Sequence, residues 1–415
     1  MTVEVVTLGC RLNLSESEDL RALLGQERDL VVINSCAVTG EAVRQTRRAI
    51  RRMRQARPDA RLLVTGCAAE VEREALAAMP EVDGLVANAA KLDPRAYSPS
   101  PSGEGLGWGL SLPNAEISRQ PPPPAPPLKG RGDAHTRAFV QVQNGCDHAC
   151  TFCVIPQGRG PSRSRSIAEV VAEIAGHLDR GVHEVVLTGV DVTGWGHDLP
   201  QASRLGSLVA AVLAACPSLE RLRLSSLDGV EIDPELLDLL GSEARVMPHL
   251  HLSLQSGDDL ILKRMKRRHS RADAIGLVAK LKARRPEIAI GADLIAGFPT
   301  EDEAMHAANR AIIAELGIVH GHVFPYSQRP GTPAARMPQV EPATIKRRAA
   351  ELRAAVDEER RAWLASLIGT PLSVLAERDG SGHAQNFARV LLPAGTTPGT
   401  MIQITPTRIA EGLLA

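Results

Sequence analysis

Aromatic side chains are scarce in this chain, with five Phe, three Trp and two Tyr in 415 residues. Recognition of splayed bases by stacking would therefore have few candidates, and Phe324, Tyr326, Phe298 and Trp195 are the ones near expected strand ends. Net charge is absent as well, since 48 Lys and Arg balance 48 Asp and Glu. That excludes a uniformly basic surface for a polyanion. No apolar run approaches the roughly 20 residues needed to span a bilayer, so no membrane partner is expected. The opening "MTVEVVTLGC" reads straight into a strand, without a basic leader, and a cytoplasmic protein is expected. Seven cysteines in a reducing compartment exclude a disulfide framework and leave metal or redox chemistry. The length exceeds one ordinary core, so two or three domains are expected.

Two local basic runs survive this neutrality: "RQTRRAIRRMRQARPDAR" at 44–61 and "KRMKRRHSR" at 263–271. Each reads either as a phosphate-attracting patch or as a solvated helix face.

The first 90 or so residues alternate apolar runs with amphipathic stretches, the pattern of an open parallel α/β sheet. "VEVVTLGC", "LVVINSC" and "RLLVTGC" are followed by a shorter run, "DGLVA". Three of these runs end in a cysteine: Cys10, Cys36 and Cys67. Ligands sit beyond the carboxyl ends of parallel strands, so these thiols are expected to converge on one edge. Residues 98–134, with "SPSPSGEGLGWGLSLP" and "RQPPPPAPPLKGRGD", are too rich in Pro and Gly to build a core and read as a linker. From 138 the alternation resumes, with expected strands at 138–143, 184–189, 221–226, 249–256, 288–297 and 319–326. Six βα units fit a partial (β/α)6 barrel with its site at the carboxyl ends of the strands. A charged helical stretch at 341–367 closes it. Short alternating strands, "LSVLAE", "AQNFARVLLP" and "MIQITPTRIAEGLLA", suggest a small terminal β-barrel of the kind that carries oligonucleotides. The expected fold class is thus α/β, with domains at 1–97, 135–365 and 366–415.

"NGCDHACTFCVIPQGRG" at 144–160 places Cys146, Cys150 and Cys153 in a C-x3-C-x2-C loop just after the first barrel strand. Zinc would want a fourth ligand, and no His or Cys follows at the usual spacing; His148 lies inside the loop without a paired-ligand pattern. A 4Fe-4S cluster on three thiolates leaves one iron open for a small molecule. The spacing resembles that of the radical S-adenosylmethionine superfamily. The resemblance implies that the open iron chelates S-adenosylmethionine and that one electron from the cluster splits it to methionine and a 5'-deoxyadenosyl radical.

With a second thiol trio in the first domain, the chain is similar to the methylthiotransferases along nearly its whole length. "TLGCRLN", "NSCAVT" and "TGC" carry the resemblance first, followed by "LTGVDVTGWG", "LRLSSLD", "HLSLQSGDDLILKRMKR", "DLIAGFPTE" and "HVFPYSQRPGTPAARMP". It implies a second 4Fe-4S cluster on Cys10, Cys36 and Cys67, where sulfur is held and methylated, and a terminal TRAM-like domain. It further implies transfer of methylthio to a substrate, with an electron donor such as a flavodoxin or ferredoxin and a sulfur source as partners. "IPQGRGPSRSR" and "HVFPYSQRPGTPAARM" resemble most the branch acting on threonylcarbamoyladenosine at position 37 in the tRNA anticodon loop. The isopentenyladenosine branch and the ribosomal protein S12 branch are the alternatives.

For the cofactor, the resemblance points to Thr188, Gly189 and Asp191 near the methionine amino group, Gln255 and Ser256 on the ribose side, and Asp293 and Gly297 with Phe298 and Pro299 on the adenine side. Ordinary turn chemistry is the competing reading. Arg159, Arg163 and Arg165 follow the cluster loop and could meet a tRNA phosphate or a threonylcarbamoyl carboxylate, or pair with Glu169 or Glu184. Phe152 would shield the cluster. Cys216 reads as a buried inert thiol. His249 and His251 share one face of their strand, as barrel lining or as hydrogen-bonded structural histidines.

Overall fold

The computed structural model describes residues 3–97 and 136–415, which fall into two compact units. The linker expected at 98–134 lies outside the described residues. The first unit comprises the residues up to 97 together with Asn144–His148 and Cys153–Arg165; the second comprises the residues to Gln143, Ala149–Phe152 and Ser166–Ala415.

In the first unit, β1 (Glu4–Thr7), β2 (Leu30–Ser35), β3 (Arg61–Gly66) and β4 (Gly84–Leu85) form a parallel sheet in sequence order. β2 is buried along its whole length, as expected for a strand covered on both faces. The helix Gly40–Ala56 begins at Thr39, whose hydroxyl accepts the Ala42 N–H. It turns Val43, Ile50 and Met53 into the core and leaves its arginines outward. Those arginines pair largely within the unit: Arg44 with Glu41, Arg54 with Asp83, Arg57 with Asp29. The run at 44–61 is therefore a solvated, ion-paired helix face.

In the second unit, β5 (Ala138–Gln141), β8 (Glu184–Thr188) and β9 (Arg221–Leu224) form one parallel trio, and β10 (His249–Gln255), β11 (Ala289–Ala296) and β12 (Ile318–Pro325) form another. The short strands β6 (Gln143–Asn144) and β7 (Arg163–Ser164) form a separate pair, of which Asn144, Arg163 and Ser164 belong to the first unit. Isolated parallel bridges, Leu222 to Val246 and Leu227 to Leu252, run between the segments of the two trios. Helices separate the six strands, two of them, Asp259–Arg264 and Arg271–Arg284, between β10 and β11, and Pro342–Ser366 follows the last. Ser166 with Glu169 and Ser270 with Asp273 form capping boxes, and Asp233 and Asp302 cap two more helices. Leu222, Leu250, Leu252, Leu254, Ile290, Ala292 and Leu294 join the helix-side core. Their strand neighbours must therefore face the other way, into the lumen.

Arg221 and Arg223 are two such lumen residues, buried beside Glu184. They donate to the Ser373, His383, Ala384 and Gln385 carbonyls of the terminal β region. That region holds β13 (Leu372–Ala376), β14 (Ser381–Ala384), β15 (Arg389–Leu391), β16 (Met401–Ile404), β17 (Ile409–Ala410) and β18 (Leu413–Leu414). The strand expected in "AQNFARVLLP" is broken, because Phe387 takes a left-handed conformation with φ of 70° and ends the run after Ala384. Its ring stacks on His249, with centroids 4.8 Å apart, and packs against His383.

Phe387→Ala is expected to cost about 2 kcal/mol through the lost stacking and burial. Thermal unfolding would show the loss, and limited proteolysis would show faster cleavage between 367 and 371.

Candidate active site

Parallel register brings the first thiol trio together. Thr7 pairs with Asn34 and Ser35 with Gly66, so Cys10, Cys36 and Cys67 follow three adjacent strand ends. The approach is close enough to demand glycine. At Gly9 (φ 96°) a Cβ would lie 2.6 Å from Cys36 Cβ, and at Gly66 (φ 90°) it would lie 2.4 Å from the Ser35 carbonyl. Asn13 binds the turns together, its amide donating to the Leu8 and Ser35 carbonyls at 2.6 and 3.0 Å. Burial pushes the Cys36 thiol up to about 11, and its neighbours Cys10 and Cys67 add to the rise. Three clustered sulfurs without a carboxylate or imidazole among them form a donor set suited to an iron–sulfur centre. Assembly of such a centre would strip the Cys36 proton.

Arg159 closes this site from the short helix Ile155–Arg159, whose Gly158 rests on Cys67 and accepts from Asn88 at 2.6 Å through its carbonyl. The guanidinium, only 2 % exposed, meets Glu16 at 2.8 Å, Asn13 Oδ1 at 2.5 Å and Asn144 Oδ1 at 2.9 Å. Lys91 takes the other side of Glu16. Burial alone would raise the Glu16 carboxyl, yet Lys91 and Arg159 hold it down at about 2. The expectation for Arg159 is corrected here: it is neither a surface contact nor a partner of Glu169 or Glu184. Glu184 is taken by Arg137, Arg221 and Arg223, and Glu169 caps its helix. Arg163 is exposed, with one contact to the Arg159 carbonyl, and Arg165 is half-buried.

The radical loop is divided between the units. Cys146 and Cys153 lie with the first unit, where their sulfurs accept the His148 and Ile155 N–H groups at 3.4 Å. Gly145 (φ 75°) makes the entry turn, since a Cβ there would lie 1.9 Å from the Pro161 carbonyl oxygen. Cys150 lies with the second unit, and Arg267 Nη1 approaches its sulfur at 3.7 Å. Thr151 is fixed to the Met265 and Arg264 carbonyls at 3.1 and 2.8 Å. Phe152 packs edge-on against Phe298. Half-buried thiols that accept N–H bonds fit a cluster whose potential is set by such bonds.

The residues expected at the cofactor sit at strand ends of the second unit. Thr188 closes β8, and Gly189 begins a turn in which a Cβ would lie 2.8 Å from the Gln143 carbonyl. Gln143, which the sequence reading passed over, is fully buried and accepts the Val190 and Asp191 N–H groups at 3.1 and 2.9 Å. Gln255 ends β10 with φ of 70°, a strained conformation for a non-glycine residue. Ser256 differs from expectation, being fully buried with its hydroxyl accepting the Asp258 N–H. Gly297 (φ 71°) donates to Glu301, whose carboxyl burial pushes up to about 7 against the pull of Arg348. Asp293 lies within β11, inside the strand expected at 288–297, and is held by His251 and His322. Trp195 and Phe298 are buried and offer no stacking face, whereas Phe324 is 39 % exposed. Cys216 is buried in the helix-side core. The basic run at 263–271 is partly spent internally, with Arg267 and Arg268 on Asp228 and Arg271 on Glu315. Among the described residues no helix is long and apolar enough to cross a membrane.

Glu16→Gln would leave Lys91 and Arg159 buried without a counter-charge, and a loss of about 3–5 kcal/mol is expected in thermal unfolding. Because Glu16 is depressed from 4.5 to about 2, its stabilisation is present above pH 4.5 and is lost as pH falls toward 2. That contribution is about 3 kcal/mol and would be missing from the variant's pH profile.

Comparison with known proteins places this geometry. Residues 140–311 match the Radical SAM superfamily, and residues 2–87 match an uncharacterized protein family, UPF0004. A Rickettsia prowazekii protein, threonylcarbamoyladenosine tRNA methylthiotransferase MtaB, is 43% identical over 99% of this chain and 96% of its own. The tRNA-2-methylthio-N(6)-dimethylallyladenosine synthase of Cereibacter sphaeroides is 33% identical over 99% of this chain and 97% of its own. Among solved structures, the radical S-adenosylmethionine methyltransferase TsrM of Kitasatospora setae superposes with a TM-score of 0.54. It is 17% identical, covers 77% of this chain and 68% of its own, and bears on the fold alone. With two thiol trios in matched segments and full-length relatives at 43% and 32% identity, the chain belongs to the radical S-adenosylmethionine methylthiotransferase family.

Proposed function

We propose that this protein adds a methylthio group to C2 of N6-threonylcarbamoyladenosine at position 37 of tRNA. The observation that carries the reading is the second thiol trio, built on its own sheet and closed by Arg159, in a chain 43% identical end to end to a protein named for that reaction. A radical enzyme that only cleaved S-adenosylmethionine would need the loop cysteines alone.

Cys146, Cys150 and Cys153 would hold one 4Fe-4S cluster, and Cys10, Cys36 and Cys67 a second. With S-adenosylmethionine, the first supplies a carbon-centred radical and the second a site for the sulfur to be transferred. The chain's own part is placement and exclusion of water. Gln143 fixes the turn at 189–191, Glu301 fixes the Gly297 loop, and Phe152 packs edge-on against Phe298. Thr188, Gly189, Asp191, Gln255 and Gly297 are the strand-end groups offered to the cofactor. Arg163, exposed, is offered to tRNA phosphate, where neutralised charge would make binding salt-dependent. An anticodon-loop base can enter such a site without a helix being melted. A low-potential electron donor such as a flavodoxin or ferredoxin and a sulfur source complete the partners.

The dimethylallyladenosine reading is favoured by relatives at 33% and 35% identity, below the 43% of the threonylcarbamoyl relative. Mass spectrometry of tRNA nucleosides with and without the gene decides between them. Loss of 2-methylthio-threonylcarbamoyladenosine on deletion is expected; loss of the dimethylallyl product instead would refute the reading. Reconstituted protein is expected to carry about eight irons per chain. Cys150→Ala should keep about four and release no 5'-deoxyadenosine; loss of all iron in that variant would refute two independent sites.

A further inference from the structure

Below the strand ends, three polar side chains from three neighbouring strands meet in the lumen of the second unit. His251 and Gly291 are register partners on β10 and β11, as are Asp293 and His322 on β11 and β12. A Cβ at Gly291 would lie 2.3 Å from His251 Nδ1, so only glycine there lets the imidazole lie across β11. His251 Nε2 then reaches Asp293 Oδ1 at 3.1 Å, and His322 Nδ1 reaches the same oxygen at 3.1 Å. Ser226 Oγ approaches Oδ2 at 3.4 Å. Burial would raise the Asp293 carboxyl, yet the bonds from His251 and His322 hold it well below the usual carboxylate range.

An ionised carboxylate only accepts hydrogen bonds, so His251 Nε2 and His322 Nδ1 must carry the protons that face it. His251 is almost enclosed, but the His322 side chain is 60 % exposed. Its second nitrogen is left for a ligand, to accept from a hydroxyl. On the same face of β12 the exposed Phe324 ring stands edge-on, 6.4 Å from His322. Deeper in, His249, His320 and Phe387 pack together as a floor. Asp293 lies three residues before the end of β11 at Ala296, about 10 Å down by strand rise. A base held at the strand-end rim would extend a tail into this space.

We propose that His322, oriented by Asp293 and His251, recognises the hydroxyl of the threonyl tail and discriminates against an apolar prenyl tail. The inference rests on the threonylcarbamoyladenosine reading above. A prenyl group would bury the imidazole nitrogen without a partner, whereas the threonyl tail supplies one.

The test uses the enzyme with both clusters reconstituted and tRNA carrying threonylcarbamoyladenosine, dimethylallyladenosine or unmodified adenosine at position 37. His322→Leu should raise KM for the threonylcarbamoyl tRNA about tenfold, with kcat within about twofold, and abolish preferential binding over the unmodified tRNA. His322→Gln, which keeps a hydrogen-bonding group, should recover part of both. Unchanged KM and preference, or a fall in kcat alone, would overturn the inference. So would a stoichiometric divalent metal, beyond cluster iron, that His322→Leu loses, since these three side chains would then be a metal site. If His322→Leu melts early or loses iron, His322→Gln and His322→Asn decide, graded loss of preference supporting the inference and equal preference overturning it. A wild-type enzyme that ignores threonylcarbamoyl tRNA and modifies dimethylallyl tRNA overturns the substrate reading itself; wild-type preference with indifferent variants overturns only the role of His322.

Discussion

Parallel pairing of β1, β2 and β3 is the constraint from which the amino-terminal site follows. It sends three carboxyl ends to one edge, so a cysteine just past each strand needs no long loop to meet the others. The glycines at 9 and 66 are what this closeness requires, because any side chain there would collide with Cys36 or with the Ser35 backbone. A second parallel array repeats the principle on a larger scale. Its strand-end turns are fixed by buried polar groups, Gln143 and Glu301.

The buried charges serve the same end. Arg159, Glu16 and Lys91 are expensive to bury singly and tolerable together, and the acid stays ionised because two cations flank it. Their net positive charge sits beside three sulfurs that would become anionic on binding a metal. In the second unit, Arg137, Arg221 and Arg223 around Glu184 turn charge into a joint, since the same guanidiniums of Arg221 and Arg223 tie down backbone carbonyls of the terminal β region. That region is therefore packed on the strand array as well as linked to it in sequence.

Much of this was legible in the sequence. Apolar periodicity gave every strand of both parallel arrays within a few residues, and cysteine position gave both thiol trios. What escaped was long-range pairing. Arg159 finds Glu16 across 143 residues, and nothing near either residue announces the other. His251, Asp293 and His322 sit on separate strands and become a group only through register and the missing side chain at Gly291. Gln143 looks like one polar residue in an alternating strand until its side-chain Oε1 is seen holding the next strand's turn. Phe387 reads as a strand residue because its left-handed backbone has no signature of its own in "AQNFARV".

Arg159 also bears on how the protein is made. The first sheet is contiguous in sequence up to residue 97, yet its compact unit is completed by Asn144–His148 and Cys153–Arg165, which leave the ribosome later. Until then Glu16 and Lys91 have each other but lack the guanidinium that ties Asn13 to them. The amino-terminal site is thus finished only once the segment Cys153–Arg165, which carries Arg159, has been synthesised.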